Sequence, residues 1–186
     1  MKKALRRCVV APIVAVFVIG GVAHARRLYE GSPAAGSRNG HYYADPGPNR
    51  KTTQVFRSLP SKKPEMIWEK PGWLDATFVS DDGEYLVSGE FCEDYLPRKF
   101  DPDLVIATFY RRSTVIGSVR VRDIISDPKT LKRSYRGNLR WGQCIDFLRG
   151  SNRFVIDTWE LREYTFDATT GKLLETVPIR GIPMID

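Results

Sequence analysis

Histidine is almost missing from this chain of 186 residues: there are two, His24 and His41, and none further on. A Ser-His-Asp or Cys-His nucleophile needs an imidazole to take its proton, so that chemistry is excluded for the long region after His41. Histidine-based zinc sites are excluded with it. Cysteine is scarce too, with Cys8, Cys92 and Cys144 and no C-x-x-C spacing, which argues against a redox pair. No P-loop, G-x-G-x-x-G, H-E-x-x-H or EF-hand spacing occurs, so the residues imply no cofactor. Apolar stretches are short apart from one near the N-terminus, and a mean hydropathy of -0.32 excludes a polytopic membrane protein.

That one stretch reads as an address. Lys2, Lys3, Arg6 and Arg7 precede the apolar run Cys8 to Ala23, which ends at the small-x-small site Ala23-His24-Ala25. A charged region, a short apolar region and an A-x-A site in this order predict a secretory signal peptide over 1–25, cut after Ala25. The run holds 16 residues with Pro12 and a Gly pair inside it, short of the roughly 20 that span a bilayer. A periplasmic or secreted location follows as an expectation.

The charge has to be read in the same segments. The chain carries 29 Lys+Arg and 22 Asp+Glu, a formal net charge of +7. Four of the basic residues and none of the acidic ones lie in 1–25. From Arg26 to Pro64, Gly, Pro, Ser and Asn recur, with eight basic residues against Glu30 and Asp45, which predicts a flexible basic leader over 26–64. Glu65 to Asp186 then holds 17 basic and 20 acidic residues. A mildly acidic folded part in an exported chain argues against nucleic acid as the partner.

Beyond the leader the apolar period becomes two. Ala76–Ser80 and Glu84–Gly89 flank a turn at Asp81-Asp82-Gly83, and Leu104–Tyr110 and Thr114–Val121 flank Arg111-Arg112-Ser113. Near the C-terminus Cys144–Leu148, Arg153–Trp159, Glu163–Asp167 and Lys172–Ile179 repeat the scheme, and Arg122–Arg136 between the sets suits a loop with a short helix. Phe78–Val87 lies over Phe147–Ile156 at an offset of 69 residues. The fold class expected is therefore all-β: two blade-like, four-stranded antiparallel units over 65–186, either a sandwich, which is preferred, or an incomplete propeller that self-association would complete.

Those residues also carry a resemblance. FVSDDGEYLV (Phe78 to Val87) looks like the strand, S-x-D-G turn and strand of TolB-like and WD-type β-propeller blades. YTFDATTGKLLETV (Tyr164 to Val177) is similar to the aromatic-x-x-D-x-x-T-G segment of quinoprotein-type blades. The resemblance implies blade architecture, but two blades cannot build a quinoprotein's cofactor ring, and no ligands for one are recognisable.

Three groups of residues are candidates for chemistry or binding. Cys92 and Cys144 are expected to pair as a disulfide, worth up to about 4 kcal/mol in the chain-entropy picture; two free thiols too far apart to bridge are the alternative. Glu90, Glu93, Asp94, Asp101 and Asp103 form an acidic loop, which implies a Ca²⁺ site or a carboxylate-dependent hydrolase if its side chains converge. The commoner role is a solvated loop neutralised by Arg98 and Lys99. Trp73 and Trp141, each ahead of one unit, suit stacking on a sugar or peptide if exposed and core packing if not. The leading functional expectation is a non-enzymatic, exported β-repeat protein that binds a protein or a cell-envelope polymer. The carboxylate-dependent hydrolase or Ca-binding domain is the second.

Overall fold

A computed structural model describes residues 36–60, 62–74, 76–89, 95–97, 99–134 and 137–179, apart from the side chains of Gln143 and Cys144. The predicted signal peptide, Cys92, the Cys144 side chain and therefore the predicted disulfide lie outside the described residues.

Thr53 and Val55 alternate with Gln54 and Phe56, and this short alternation starts a sheet where composition predicts a leader. Strands β1 (Tyr42–Pro46), β2 (Thr52–Arg57) and β3 (Glu65–Pro71) pair antiparallel in that order. Ala44, Thr53 and Val55 have no solvent exposure. The expected leader boundary at Pro64 thus falls inside a folded sheet. Two of its inward positions are a small residue, Ala44, and a threonine, Thr53, so no sustained apolar period announces them. The Thr53 hydroxyl donates to the Gly72 carbonyl at 3.0 Å and accepts from the Leu74 N–H at 3.0 Å, and a polar side chain so satisfied is tolerated in a core.

The second sheet consists of β4 (Thr77–Val79), β5 (Tyr85–Gly89), β7 (Val105–Arg111) and β8 (Thr114–Arg120), and the third of β10 (Gly142–Phe147), β11 (Arg153–Thr158), β12 (Arg162–Asp167) and β13 (Lys172–Pro178). Two-residue strands β6 (Tyr95–Leu96) and β9 (Leu139–Arg140) pair as a ribbon. The one-turn helix α1 (Val121–Ile124) and a 3-10 turn at Pro128–Thr130 fill the connection where a short helix was expected. The all-β fold holds the two four-stranded antiparallel units expected, with a three-stranded sheet added ahead of them, and the sheets do not close into a barrel.

The second sheet is buried on both faces. Phe78, Val87 and Phe109 meet Phe147, Phe154, Ile156 and Phe166 of the third sheet, with Phe154 edge-on to Phe78, Phe109 and Phe147 at 5.5, 5.8 and 5.2 Å. Val79, Leu86 and Tyr110 meet Ala44, Val55 and Trp68 of the first. Each of the large side chains contributes about 1.5–3 kcal/mol by leaving water. Double-sided burial also explains why Thr77-Phe78-Val79 and Leu86-Val87-Ser88 are buried without a break. Register shifts in β7, between Val105 and Ala107 and between Phe109 and Tyr110, defeat simple alternation there. Val105 and Val115, near the starts of β7 and β8, are exposed despite their apolar side chains.

The first strands of the sheets gather together, β4 lying against both β1 and β10. Antiparallel order then sorts the connections. The tight turns β4–β5, β7–β8, β10–β11 and β12–β13 share one end of the stack. The long connections β5 to β7 and β8 to β10 share the other, together with the β11–β12 turn.

Candidate functional site

The tight-turn end is a polar junction of all three sheets. Asp81, in the β4–β5 turn, accepts from the Asn39 N–H through Oδ1 and from the Gly150 N–H through Oδ2, each at 2.7 Å. Asn39 Nδ2 returns a bond to the Asp81 carbonyl at 2.7 Å. Beside it, Arg38 pairs with Asp146 at 3.0 Å and donates to the Phe147 carbonyl at 3.2 Å. Burial pushes the Asp146 carboxyl above its usual range, Arg38 and the Phe147 N–H pull against that, and Asp81 adds to it. The hollow at this end, about 410 Å³ and lined by Glu84, Arg111, Arg112, Ser113 and Thr114, has its principal charges engaged with one another: Arg112 grips Glu84 with two bonds of 3.0 and 2.8 Å. These groups join elements and leave little for a ligand.

The opposite end is built differently. In the β6–β9 ribbon, Leu96 and Leu139 face each other and enter the core, at 2% and 6% exposure. Alternation then turns their neighbours, the register pair Tyr95 and Arg140, outward. Arg140 Nε donates to the Tyr95 hydroxyl at 3.1 Å, and the guanidinium lies 5.6 Å from the Tyr95 ring centre and 4.9 Å from that of Trp159. Lys132 approaches the same indole at 5.8 Å, placed by the Arg140 N–H bond to its carbonyl at 2.8 Å. Trp159 is set by its own N–H bond to the Trp141 carbonyl, 3.0 Å. Each cation–π contact contributes about 0.5–1 kcal/mol at such an exposed site. The result is a ledge of half-buried aromatics carrying exposed cations.

Glu160, next along the chain, does not neutralise it. Its carboxylate accepts from Ser126 N–H and hydroxyl, Asp127 N–H and the Thr130 hydroxyl at 3.0, 2.8, 2.9 and 3.2 Å. Burial raises this carboxyl, but the four hydrogen bonds outweigh it and hold the group below its usual range. Glu160 thus fastens the 126–130 loop that shapes the ledge.

The residues singled out from the sequence fare unevenly. Trp141 is fully buried, so it packs the core and faces no ligand; a tryptophan immediately after the outward Arg140 must point inward. Trp73 is half-buried between the first and second sheets. Glu90, Glu93 and Asp94 lie outside the described residues. Asp101 and Asp103 are exposed. Asp101 Oδ1 accepts from the Asp103 N–H at 2.8 Å, and Asp103 pairs with Arg122 at 2.6 Å, so these two serve a turn and an ion pair. Among the described residues no group of three His, Cys, Asp or Glu side chains converges as a metal site would need. Sequence reasoning missed Tyr95 and Arg140 because two-residue strands are too short to show a period.

One carboxyl outside both ends is perturbed. Asp157 of β11 is pushed up to about 6, first by burial and then by Glu163 opposite it in β12, and its Oδ1 is buried without a partner. The two acids project from one face of one sheet, not from opposite walls of a groove, which does not suit an acid–base pair flanking a bond. Because the folded value is raised, the stabilisation from protonating Asp157 is full below about pH 4 and lost as pH rises through about 6. Two units correspond to at most about 3 kcal/mol, and screening at a half-exposed site reduces this to about 1 kcal/mol. Asp157→Asn is expected to gain that amount near pH 7 and to flatten the change in urea midpoint between about pH 4.5 and 7. An unchanged midpoint and slope would show that the carboxylate is not strained there.

No protein-family model matches the chain, and no curated protein matches it. Solved structures do match. A structure of U3-55K matches at 10% identity and a TM-score of 0.39, over 77% of this chain and 38% of that one. The WD40 repeats of RRP9 match at 10% and 0.39, over 77% and 37%. A complex of KlAtg21 with the coiled coil of AgAtg16 matches at 11% and 0.44, over 78% and 41%. The chain thus spans about two-fifths of the length of these solved chains.

Proposed function

We propose that the protein is an exported, non-enzymatic β-repeat protein that binds a partner protein through the long-connection end of its blade stack. The observation that carries this reading is the ledge of Tyr95, Arg140, Trp159 and Lys132. Tyrosine, tryptophan and arginine are the residue types that dominate protein interfaces, and here they are fixed in place before any partner arrives. Function also concentrates on loops held by a rigid scaffold, and the two longest connections, β5 to β7 and β8 to β10, meet at this end. Export rests on the charged, apolar and A-x-A segments of 1–25. The non-catalytic reading rests on the absence of histidine after His41.

A tagged chain, cross-linked in cells and purified from the envelope, tests the reading. The expected product begins at Arg26 by mass and carries a cross-linked protein whose yield falls at least about fivefold in a Tyr95→Ala, Trp159→Ala double variant. Arg112→Ala, at the other end, is expected to leave the yield unchanged. An equal loss in both variants, or recovery of polysaccharide in place of protein, contradicts it.

A further inference from the structure

The cations and acids of the long-connection end are arranged to opposite purposes. Lys129, Lys132, Arg133 and Arg140 are all exposed there. Three described acids near them, Asp123, Asp127 and Glu160, are bonded to backbone N–H groups and hydroxyls. Asp123 accepts from the Arg120 N–H at 2.7 Å and Asp127 from the Lys129 N–H at 2.9 Å. Glu160 is filled by the four bonds that fasten the 126–130 loop. None of these three acids forms an ion pair with Arg140.

Arg140 differs from an ordinary surface arginine. Its Nε is committed to the Tyr95 hydroxyl, and its guanidinium carbon lies 5.6 and 4.9 Å from the Tyr95 and Trp159 ring centres. Arg140 is exposed and its Nη groups have no hydrogen-bond partner among the described residues, so the edge that grips a carboxylate with two parallel bonds is available, and the contacts to Tyr95 and Trp159 restrict its rotamers in advance. Binding to such a group forfeits little further entropy.

We infer that this ledge is a recognition site for a carboxylate on an acidic segment of another protein, seated on the Arg140 fork and steered by Lys129 and Arg133. The inference rests on the proposed binding role and names the chemistry of the partner. An anionic lipid surface fits less well. Residues 36–186 carry 23 basic against 21 acidic side chains, close to balance, so little net charge draws the chain to a negatively charged sheet, whereas one guanidinium held in place suits one discrete carboxylate.

The test is a titration of the purified protein, by calorimetry and tryptophan fluorescence, with three probes. These are a glutamate-rich peptide of about ten residues, its glutamine counterpart, and vesicles of phosphatidylglycerol and phosphatidylcholine in equal parts. Saturable, salt-weakened binding of the glutamate peptide alone is expected. Arg140→Gln should weaken it roughly tenfold or more, with Arg140→Lys in between because the charge remains while the fork is lost. Lys129→Gln with Arg133→Gln, at two exposed side chains, should weaken it severalfold and keep the inference testable if Arg140→Gln unfolds. Equal binding of both peptides, indifference to Arg140, or binding of the vesicles alone overturns it. If cross-linking in cells still depends on the ledge while the glutamate peptide is ignored, the binding end stands and the carboxylate chemistry falls. If cross-linking is indifferent to the ledge, both fall.

Discussion

Replacing Gly117 by valine is expected to lower stability by about 3 kcal/mol or more and to loosen the third sheet from the second. Gly117 sits in β8 opposite Phe109, and a Cβ built on it would meet the Gly171 Cα at 2.9 Å and the carbonyls of Gly171 and Thr170 at 3.4 Å. All three obstacles are backbone, which cannot swing aside as a long side chain would. The converse substitution fails twice over. Gly171 lies in the β12–β13 turn at a φ of +69°, and its Cβ would meet the Gly117 Cα at 2.8 Å and the Phe109 ring at 3.5 Å. The two glycines make one contact, so once either is changed the close approach is already lost. Gly117→Ala with Gly171→Ala should therefore cost less than the sum of the single changes. Urea melts of the two single variants and the double read this directly, and strict additivity would show that the contact is not shared.

Asp81→Asn is expected to cost about 2 kcal/mol, large for an isosteric exchange at a partly exposed turn. Each carboxylate oxygen accepts from a backbone N–H, Asn39 on one side and Gly150 on the other. An amide keeps one acceptor and sets an NH₂ against the other N–H, leaving a donor unsatisfied whichever way it is flipped. The local consequence is specific. Amide exchange should accelerate at Asn39 and Gly150 and then through β1 and β2, because the Arg38-Asn39 turn is pinned to the second and third sheets here. Acceleration spread evenly over all three sheets would mean that Asp81 supports global stability and no junction.

The same turn shows what the sequence could and could not reveal. Superposing Phe78–Val87 on Phe147–Ile156 places Asp81 over Gly150, and in the fold these two residues touch at 2.7 Å. The repeat was legible because Gly and Asp turns and apolar alternation mark each hairpin. The first sheet was not legible, since Ala44 and a hydrogen-bonded Thr53 fill positions that a search for apolar residues passes over. The register shifts between β7 and β8 break the alternation there, so apolar Val105 and Val115 stand outside.

The candidate site was legible in still smaller part. Trp159 was visible as one of four tryptophans, but whether a tryptophan faces core or solvent depends on strand parity. Around Trp141 that parity is set by Leu139 and Arg140 in a strand of two residues. The partners of Arg140 lie 45 residues away in sequence at Tyr95 and across the β10–β11 hairpin at Trp159. Such a constellation comes from topology, and no local motif encodes it.

Hydroxyl-radical footprinting of the protein with and without its cross-linked partner tests the central claim most directly. Protection is expected at Tyr95 and Trp159, with the exposed side chains at the tight-turn end, Met66 and Leu148 among them, unchanged. Protection confined to the tight-turn end, or oxidation of Tyr95 and Trp159 at the same rate with the partner present, would contradict binding through the long-connection end.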